Sequence, residues 1–199
     1  MAFTITHGKR ERFNFKDAIC HISTRCNNKE NLFIEDRAFA QYINILKKCK
    51  EKHGFLLYNY VVMNNHTHLL IKLANTENIS AIMHFINRWY ARWYNERYKR
   101  KGHFWEDRFY GELVKDDTQL LAVMRYIDLN PVRAGLCNNP TEWRYSGARE
   151  YLNGEDDKLI NKSETYIGLG ATTKERQKAY SCIFPFNLAN LTRLESVRG

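Results

Sequence analysis

Residues 55–73 read FLLYNYVVMNNHTHLLIKL, two runs of β-prone residues joined by a polar Asn-Asn corner. Valine, isoleucine, tyrosine and phenylalanine favour extended backbone, and a short polar corner between two such runs is typical of an antiparallel hairpin. The pattern predicts strands over Phe55–Met63 and His66–Leu73. Side chains alternate across a strand, so His66 and His68 are expected to lie side by side on one face of the second strand.

Helices and strands alternate on both sides of this hairpin. The further predicted elements are a strand at Asp17–Arg25, a helix at Glu35–Lys52, a helix at Asn78–Arg97, a strand at Phe104–Val114 and a helix at Asp117–Leu129. Pro131 is expected to end the last helix, because the residue before a proline disfavours α geometry. This order predicts an α+β fold: a ferredoxin-like or RRM-like βαββαβ antiparallel sheet with one added helix and a helical C-terminal tail.

A chain of 199 residues, 44% of them apolar, is long enough to build one domain with a full hydrophobic core. We predict a basic N-terminal arm at residues 1–16, a main domain at 17–136 and a C-terminal extension at 137–199 that packs on the domain. Helices are predicted within the extension at Thr141–Leu152 and Thr173–Ile183.

The composition indicates which class of binding partner and which cellular compartment to expect. The net charge of +9 points to a polyanion such as nucleic acid about as strongly as to simple solubility. The five cysteines include no Cys-x-x-Cys pair, which disfavours a disulfide framework or a structural zinc site and favours neutral thiols in a reducing cytoplasm. The sequence shows no signal peptide and no apolar run of about 18 residues, so we expect a cytoplasmic protein without a membrane partner.

Two short patterns predict a metal-dependent site. Tyr126 and Asn130 are four residues apart and share one helical face. If His66, His68 and the Asn130 amide oxygen converge, they leave open positions on an ion, and this mixed set suits Mg²⁺ or Mn²⁺. Tyr126 could then attack a scissile phosphate as a covalent nucleophile. Each pattern taken singly also has a plain structural explanation: packed histidines, a core tyrosine and an asparagine at a helix end.

A basic, aromatic segment suggests where DNA would bind. Residues 88–101 alternate cations with rings, the pairing that a single-strand binder uses for phosphates and bases. Several of these rings continue the apolar stripe that starts at Ile79, so a core position is the alternative for them. The candidate DNA contacts are Arg88, Arg92, Trp105, Arg108, Arg125 and Arg133.

Three segments together resemble the signatures of REP-associated tyrosine transposases, which belong with the IS200-like transposases in the single-tyrosine His-hydrophobic-His superfamily. They are NHTHLLI at 65–71, GHFWEDRF at 102–109 and MRYIDLNPVRAGL at 124–136. The resemblance implies that the main domain is the catalytic domain, with His66 and His68 as metal ligands, Asn130 as the third ligand and Tyr126 as the nucleophile.

The same resemblance implies a reaction and a partner. Such proteins cleave and rejoin single-stranded DNA near imperfect hairpins, leave a 5′-phosphotyrosine and a free 3′-OH, and work as monomers or homodimers. A phosphotyrosine retains the energy of the broken bond, so rejoining needs no ATP, and the chain has no GxxxxGK[ST] phosphate loop.

This chain departs from the resemblance at two positions, and other functions stay open. Thr67 stands between the histidines where a hydrophobic residue is usual, and Asn64 stands where proline is usual. An RRM-like module that binds nucleic acid without cutting it is the main alternative. A relaxase-type nickase and a metal-dependent hydrolase without a covalent step are the others. The activity of such a hydrolase would persist after Tyr126→Phe, because the hydroxyl takes no part in its reaction.

Overall fold

The structure, a computed structural model, describes residues 15–74 and 78–184. Almost all of the predicted arm at 1–16 lies outside this part of the chain, as does the extension from residue 185 onward. The strands are β1 Ile19–Arg25, β2 Leu56–Val62, β3 His66–Lys72 and β4 Tyr110–Val114. The helices are α1 Asp36–His53, α2 Ile79–Arg97, α3 Asp117–Arg133, α4 Ala148–Leu152, α5 Glu164–Ile167 and α6 Thr173–Cys182. In the described ranges, no helix has the length and apolarity needed to cross a bilayer.

The four strands form one antiparallel sheet in the order β2-β3-β1-β4, which confirms the predicted βαββαβ plan. Helices α1 and α2 pack on one face of the sheet, against Ile22 and Leu69 among others. Helix α3 packs on the opposite face, where it covers Val61 and Leu70. The alternation of β3 therefore directs its odd and even positions into two separate cores.

Thr67 occupies a core position of β3 without leaving a polar group unpaired. Its side chain is 1% exposed. The Thr67 hydroxyl is 2.8 Å from the hydroxyl of Thr24 and 3.1 Å from that of Tyr42. Because buried hydroxyls are costly only when they lack partners, threonine fits between the two histidines as well as a hydrophobic residue does.

The predicted strand at Phe104–Val114 is wrong in its first half, because β4 begins only at Tyr110. The preceding residues form a loop that keeps one isolated bridge to the end of β1, between Trp105 and Cys26, and is joined to α2 by two side-chain hydrogen bonds. The indole Nε1 of Trp105 donates to the carbonyl oxygen of Asn87 at 3.0 Å. The Asn87 side chain in turn donates to the carbonyl oxygen of Arg108 at 2.8 Å. Two side-chain contacts thus replace the ladder that the β-prone sequence predicted.

Helix α3 continues through Pro131 to Arg133 instead of ending at Leu129 as predicted. A proline inside a helix removes one hydrogen bond and costs about 3 kcal/mol. Leu129 and Pro131 are both buried here, and the Asn130 side chain donates to the Tyr126 carbonyl oxygen at 2.8 Å. Packing therefore outweighs the local preference, and the extra turn carries Arg133 to the vicinity of Tyr126.

The predicted helix at Thr141–Leu152 is replaced by a 3-10 turn at Pro140–Glu142 and by the short α4. Between them the chain is extended along the free edge of β2. Trp143 Nε1 donates to the Val62 carbonyl oxygen at 2.9 Å, and the Val62 amide donates to the Tyr145 carbonyl oxygen at 2.9 Å. These tertiary hydrogen bonds outweigh the helical preference of the segment.

The extension attaches to α3 through the buried carboxylate of Asp128. Asn59 Nδ2 donates to one Asp128 oxygen at 2.8 Å, and the Tyr180 hydroxyl donates to the other at 2.6 Å. Arg125 Nη1 also donates to the Ile183 carbonyl oxygen at 2.6 Å. Burial raises the pKa of Asp128 from 3.8 to about 6, and the two hydrogen bonds lower it only in part. The clamp lies between Tyr126 and Asn130 in sequence, so it fixes the helix that carries them.

Asp128→Asn tests this clamp through the pH dependence of stability. Because the folded pKa lies above the unfolded one, protonation favours the folded state, so wild type should gain stability relative to the variant as the pH falls through 6. Between pH 7.5 and pH 5 we expect a relative gain of about 1 kcal/mol, measured by urea unfolding of both proteins. A difference between the two proteins that stays constant with pH would contradict this account. Contributions from the histidines are shared by both proteins and cancel.

Candidate active site

The predicted histidine pair and the predicted helical pair lie together on the α3 face of the sheet. The ring centroids of His66 and His68 are 5.1 Å apart. The ring of Tyr126 meets that of His68 edge-on at 5.4 Å. The Asn130 side chain interacts with the His66 ring and acts to raise its pKa. Two elements that are about 60 residues apart in sequence thus place all four predicted groups around one point.

Hydrogen bonds to neighbouring amides orient the His66 ring. Asn65 Nδ2 donates to the Lys29 carbonyl oxygen at 3.1 Å, so its Oδ1 is the atom that faces His66 Nδ1 at 2.7 Å. His66 Nδ1 must therefore donate, and its lone pair is on Nε2. Asn130 Nδ2 is used by the Tyr126 carbonyl oxygen, which leaves Asn130 Oδ1 as the acceptor for an ion or a ring.

His68 is buried, and its Nε2 has no hydrogen-bond partner. A buried ring nitrogen without a partner is costly unless a ligand completes it. Burial, helped by electrostatic repulsion from His21 and His66, holds the pKa of His68 well below its usual 6.5. Burial likewise lowers the pKa of His66 to about 4. Both imidazoles are therefore neutral at neutral pH, which is the state that a metal ligand requires.

These residues fit a divalent ion with open positions. In the part of the chain that the structure describes, no three His, Cys, Asp or Glu side chains are grouped to hold a metal by themselves. The donor set would be His66 Nε2, His68 Nε2 and Asn130 Oδ1. Two imidazoles and one neutral oxygen leave coordination positions open for phosphate oxygens and water, so they fit a divalent ion in an open site and not a closed structural site.

Tyr126 lies where a cation can assist its chemistry. It is partly exposed, and the guanidinium carbon of Arg133 lies over its ring at 5.3 Å from the centroid. A cation over an aromatic face is worth about 0.5–1 kcal/mol at an exposed site. The positive charge of Arg133 is therefore held over the face of the Tyr126 ring.

Sequence reasoning missed His21 and Arg25 on β1. The His21 ring stacks on His68 with centroids 5.1 Å apart, and the two rings share a hydrogen bond of 3.0 Å between His21 Nε2 and His68 Nδ1. Arg25 is exposed, and its backbone is paired with that of His66. The alternation His21-Ile22-Ser23 was a usable signal for the shared face, but the partner strand and its register were not visible in sequence.

Three of the predicted DNA contacts line one groove between α2 and the loop at 102–109. The groove has a volume of about 800 Å³, and its walls include Arg88, Trp105 and Arg108. The ring of Trp105 also packs against the core, since its centroid lies 5.9 Å from that of the buried Tyr90 ring. The loop is joined to the end of β1 that is paired with His66, because the Glu106 amide donates to the carbonyl oxygen of Arg25 at 2.9 Å.

Arg92 and Arg125, the other two α-helical candidates, are directed elsewhere. Arg92 pairs with Glu96 one helical turn away at 2.7 Å and is not part of the groove wall. Arg125 donates a hydrogen bond to the carbonyl oxygen of Ile183 in the extension. The structure thus brings Arg88, Arg108 and Arg133 toward the predicted sites and does not bring Arg92 and Arg125 there.

Comparison with known proteins adds independent findings. The sequence model of the family described as transposase IS200-like matches residues 14–130. A Haemophilus influenzae protein named as a REP-associated tyrosine transposase is 25% identical over 142 residues, which are 62% of this chain and 80% of that protein. The structure of a REP-associated tyrosine transposase bound to a REP hairpin has a TM-score of 0.63 and 16% identity, and the match covers 78% of this chain and 98% of that one. A transposase structure from Deinococcus radiodurans has a TM-score of 0.45 and 18% identity over 61% of this chain and 96% of that one.

Proposed function

This chain belongs to the IS200-like transposase family, and from that membership we propose that it cleaves and rejoins single-stranded DNA at hairpin, REP-like sequences through a 5′-phosphotyrosine. The single observation that supports the chemistry is the convergence of His66, His68 and Asn130 beside Tyr126. The relative solved with a REP hairpin has the same fold, which suggests the same kind of DNA partner.

A divalent ion, Mg²⁺ or Mn²⁺, would be held by the two imidazole Nε2 atoms and by Asn130 Oδ1. When bound, it supplies positive charge to the non-bridging oxygens of the scissile phosphate. The chain prepares this site in advance. Asn65 fixes the His66 ring, and burial keeps both histidines neutral, so neither ligand has to lose a proton before it binds.

Tyr126 performs the bond exchange. Its hydroxyl oxygen forms the new bond to phosphorus, and the bond from phosphorus to the 3′ oxygen breaks. The proton leaves the phenol and ends, through solvent, on the departing 3′ oxygen, which gives a free 3′-OH. A protonated phenol is a weak nucleophile, and Arg133 lies over the ring, where its positive charge favours loss of that proton.

The bound strand is proposed to run from the active site into the groove beside α2. Arg133 and Arg25 would contact phosphates next to the cut, and Arg88 and Arg108 would contact phosphates farther along. All four side chains are exposed, so each can reach a backbone phosphate without losing a buried contact. Arg92 and Arg125 are left out of this path, because each already donates a hydrogen bond to a group within the protein.

Covalent capture tests the proposed function. A pool of single-stranded hairpins with randomised stems and flanks, labelled at the 3′ end, is incubated with the protein and Mg²⁺ or Mn²⁺. We expect a labelled band that migrates with the protein on a denaturing gel and disappears with EDTA, and peptide mass spectrometry should place the nucleotide on Tyr126. Cleavage without an adduct would indicate a hydrolase, and binding without cleavage would indicate an RRM-like binding module; either result contradicts the proposal.

A further inference from the structure

His21 and His68 are diagonal neighbours on adjacent strands. In the register of β1 against β3, Ser23 is opposite His68 and His21 is opposite Leu70. Both histidines point to the α3 face, and their rings are stacked at an interplanar angle of 23°. The hydrogen bond between His21 Nε2 and His68 Nδ1 is 3.0 Å long. In this arrangement Nδ1 of His68 is used by His21, and Nε2 is buried without a hydrogen-bond partner.

A neutral imidazole carries its hydrogen on one nitrogen and its lone pair on the other. His68 can ligate through Nε2 only if its hydrogen is on Nδ1. With the hydrogen on Nε2, the lone pair would face His21 and the ring could not bind an ion in the site. The partner of Nδ1 therefore decides whether His68 is ready to bind.

We infer that His21 is a positioning residue, whose Nε2 accepts the hydrogen bond of His68 Nδ1–H and thereby keeps the His68 lone pair on Nε2. The inference rests on the proposed function, since it assigns His68 Nε2 to an ion. His21 itself then carries its hydrogen on Nδ1 and does not touch the ion or the DNA. It acts on the reaction only through His68.

The rings of His66 and His68 are each oriented by a hydrogen bond at Nδ1, but the partner of that bond differs. His66 Nδ1 donates to Asn65 Oδ1, whose identity as oxygen is fixed by the bond of Asn65 Nδ2 to Lys29. His68 has no such amide beside it, and His21 takes that place. A residue that hydrogen-bonds to a metal ligand typically contributes to metal affinity. Its substitution lowers that affinity by about 10- to 100-fold.

His21 also has a packing role that the test must hold constant. Its ring meets the Tyr126 ring edge-on at 5.8 Å, so an alanine would disturb the nucleophile as well as His68. His21→Phe keeps a flat ring at this place and removes the Nε2 acceptor together with the Nδ1–H group. His21→Gln removes the ring and restores an acceptor, because an amide oxygen can reach about as far along the side chain as imidazole Nε2.

The first measurement is the tautomer of His68 in metal-free protein. Long-range ¹H–¹⁵N correlation spectra, with the His68 signals assigned by their loss in His68→Ala, report which ring nitrogen carries the hydrogen. We expect the Nδ1–H form in wild type and in His21→Gln, and a mixture or the Nε2–H form in His21→Phe. A wild-type His68 that is hydrogenated on Nε2 would overturn the inference, as would a His21→Phe protein with an unchanged His68 spectrum.

The second measurement is Mn²⁺ affinity by titration calorimetry. His21→Phe should weaken binding by about 10- to 100-fold, and His21→Gln should stay within about three-fold of wild type. Equal losses in both variants, with unchanged thermal melting, would show that the ring and not the acceptor matters and would overturn the inference. If wild type forms no DNA adduct yet shows the expected tautomers, the proposed function fails while the role of His21 in orienting His68 stands, so the two failures are distinguishable.

Discussion

Tyr126→Phe is expected to abolish the covalent protein–DNA adduct and single-strand cleavage together. The substitution removes the one oxygen that is proposed to bond to phosphorus, and loss of a nucleophile costs about a thousand-fold or more in rate. The remaining ring keeps its edge contacts with His21 and His68 and its place under Arg133. Folding, Mn²⁺ affinity and hairpin binding should therefore stay close to wild type, as measured by melting, calorimetry and fluorescence anisotropy.

Tyr110→Phe is the matched control. Tyr110 is on β4 opposite Ser23, and Ser23 is in turn opposite His68, so this second tyrosine is close to the site without being on α3. Its variant should form the adduct at the wild-type rate. Cleavage that persists in Tyr126→Phe, or an adduct that is lost only in Tyr110→Phe, would contradict the assignment of the nucleophile.

His66→Ala is expected to remove both Mn²⁺ binding and cleavage. Its Nε2 is a proposed ligand atom, and Asn65 and Asn130 both interact with its ring, so the variant leaves one imidazole and one amide oxygen in the proposed set. Because even the neighbours of metal ligands are worth about 10- to 100-fold in affinity, loss of a ligand should weaken Mn²⁺ binding by more than about 100-fold. Calorimetry measures the affinity, and the 3′-labelled hairpin assay measures the adduct.

The exposed His84 on α2 supplies the control for this variant. His84→Ala removes an imidazole outside the proposed ligand set and should leave Mn²⁺ affinity unchanged.

The cleavage results of His66→Ala and Tyr126→Phe, compared with each other, separate two chemistries. A metal-dependent hydrolase would lose cleavage in His66→Ala and retain it in Tyr126→Phe, whereas the proposed transposase loses cleavage in both. Wild-type Mn²⁺ affinity in His66→Ala would contradict the proposed ligand set.

Local patterns predicted most of the fold and which of the four proposed site residues share a face of one strand or one helix. Observed and predicted boundaries agree within two residues for both strands of the hairpin at 55–73 and for helices α1, α2 and α6. The family match confirms the resemblance drawn from three short motifs. These predictions succeeded because the period of a strand or a helix depends on neighbouring residues alone, so His66 and His68 share a face wherever the strand is placed.

Where prediction failed, contacts between distant segments outweighed local preference. The β-prone residues at 104–109 are held on α2 by the side chain and carbonyl of Asn87. Pro131 lies within α3 because the residues around it are buried. The segment at 143–147 is extended because its tryptophan and tyrosine bond to β2. Each of these partners lies far away in sequence.

The sequence alone determined the sheet plan, the histidine pair and the spacing of Tyr126 to Asn130. Only the tertiary structure decided that these two pairs converge, that Arg133 lies over Tyr126, and that His21 is hydrogen-bonded to His68. The reason is that face and spacing follow from the period of one element, whereas convergence depends on the register of β1 against β3 and on the docking of α3. Both are fixed by packing and by hydrogen bonds between residues 47 or more positions apart, such as His21 with His68 and Asp128 with Tyr180.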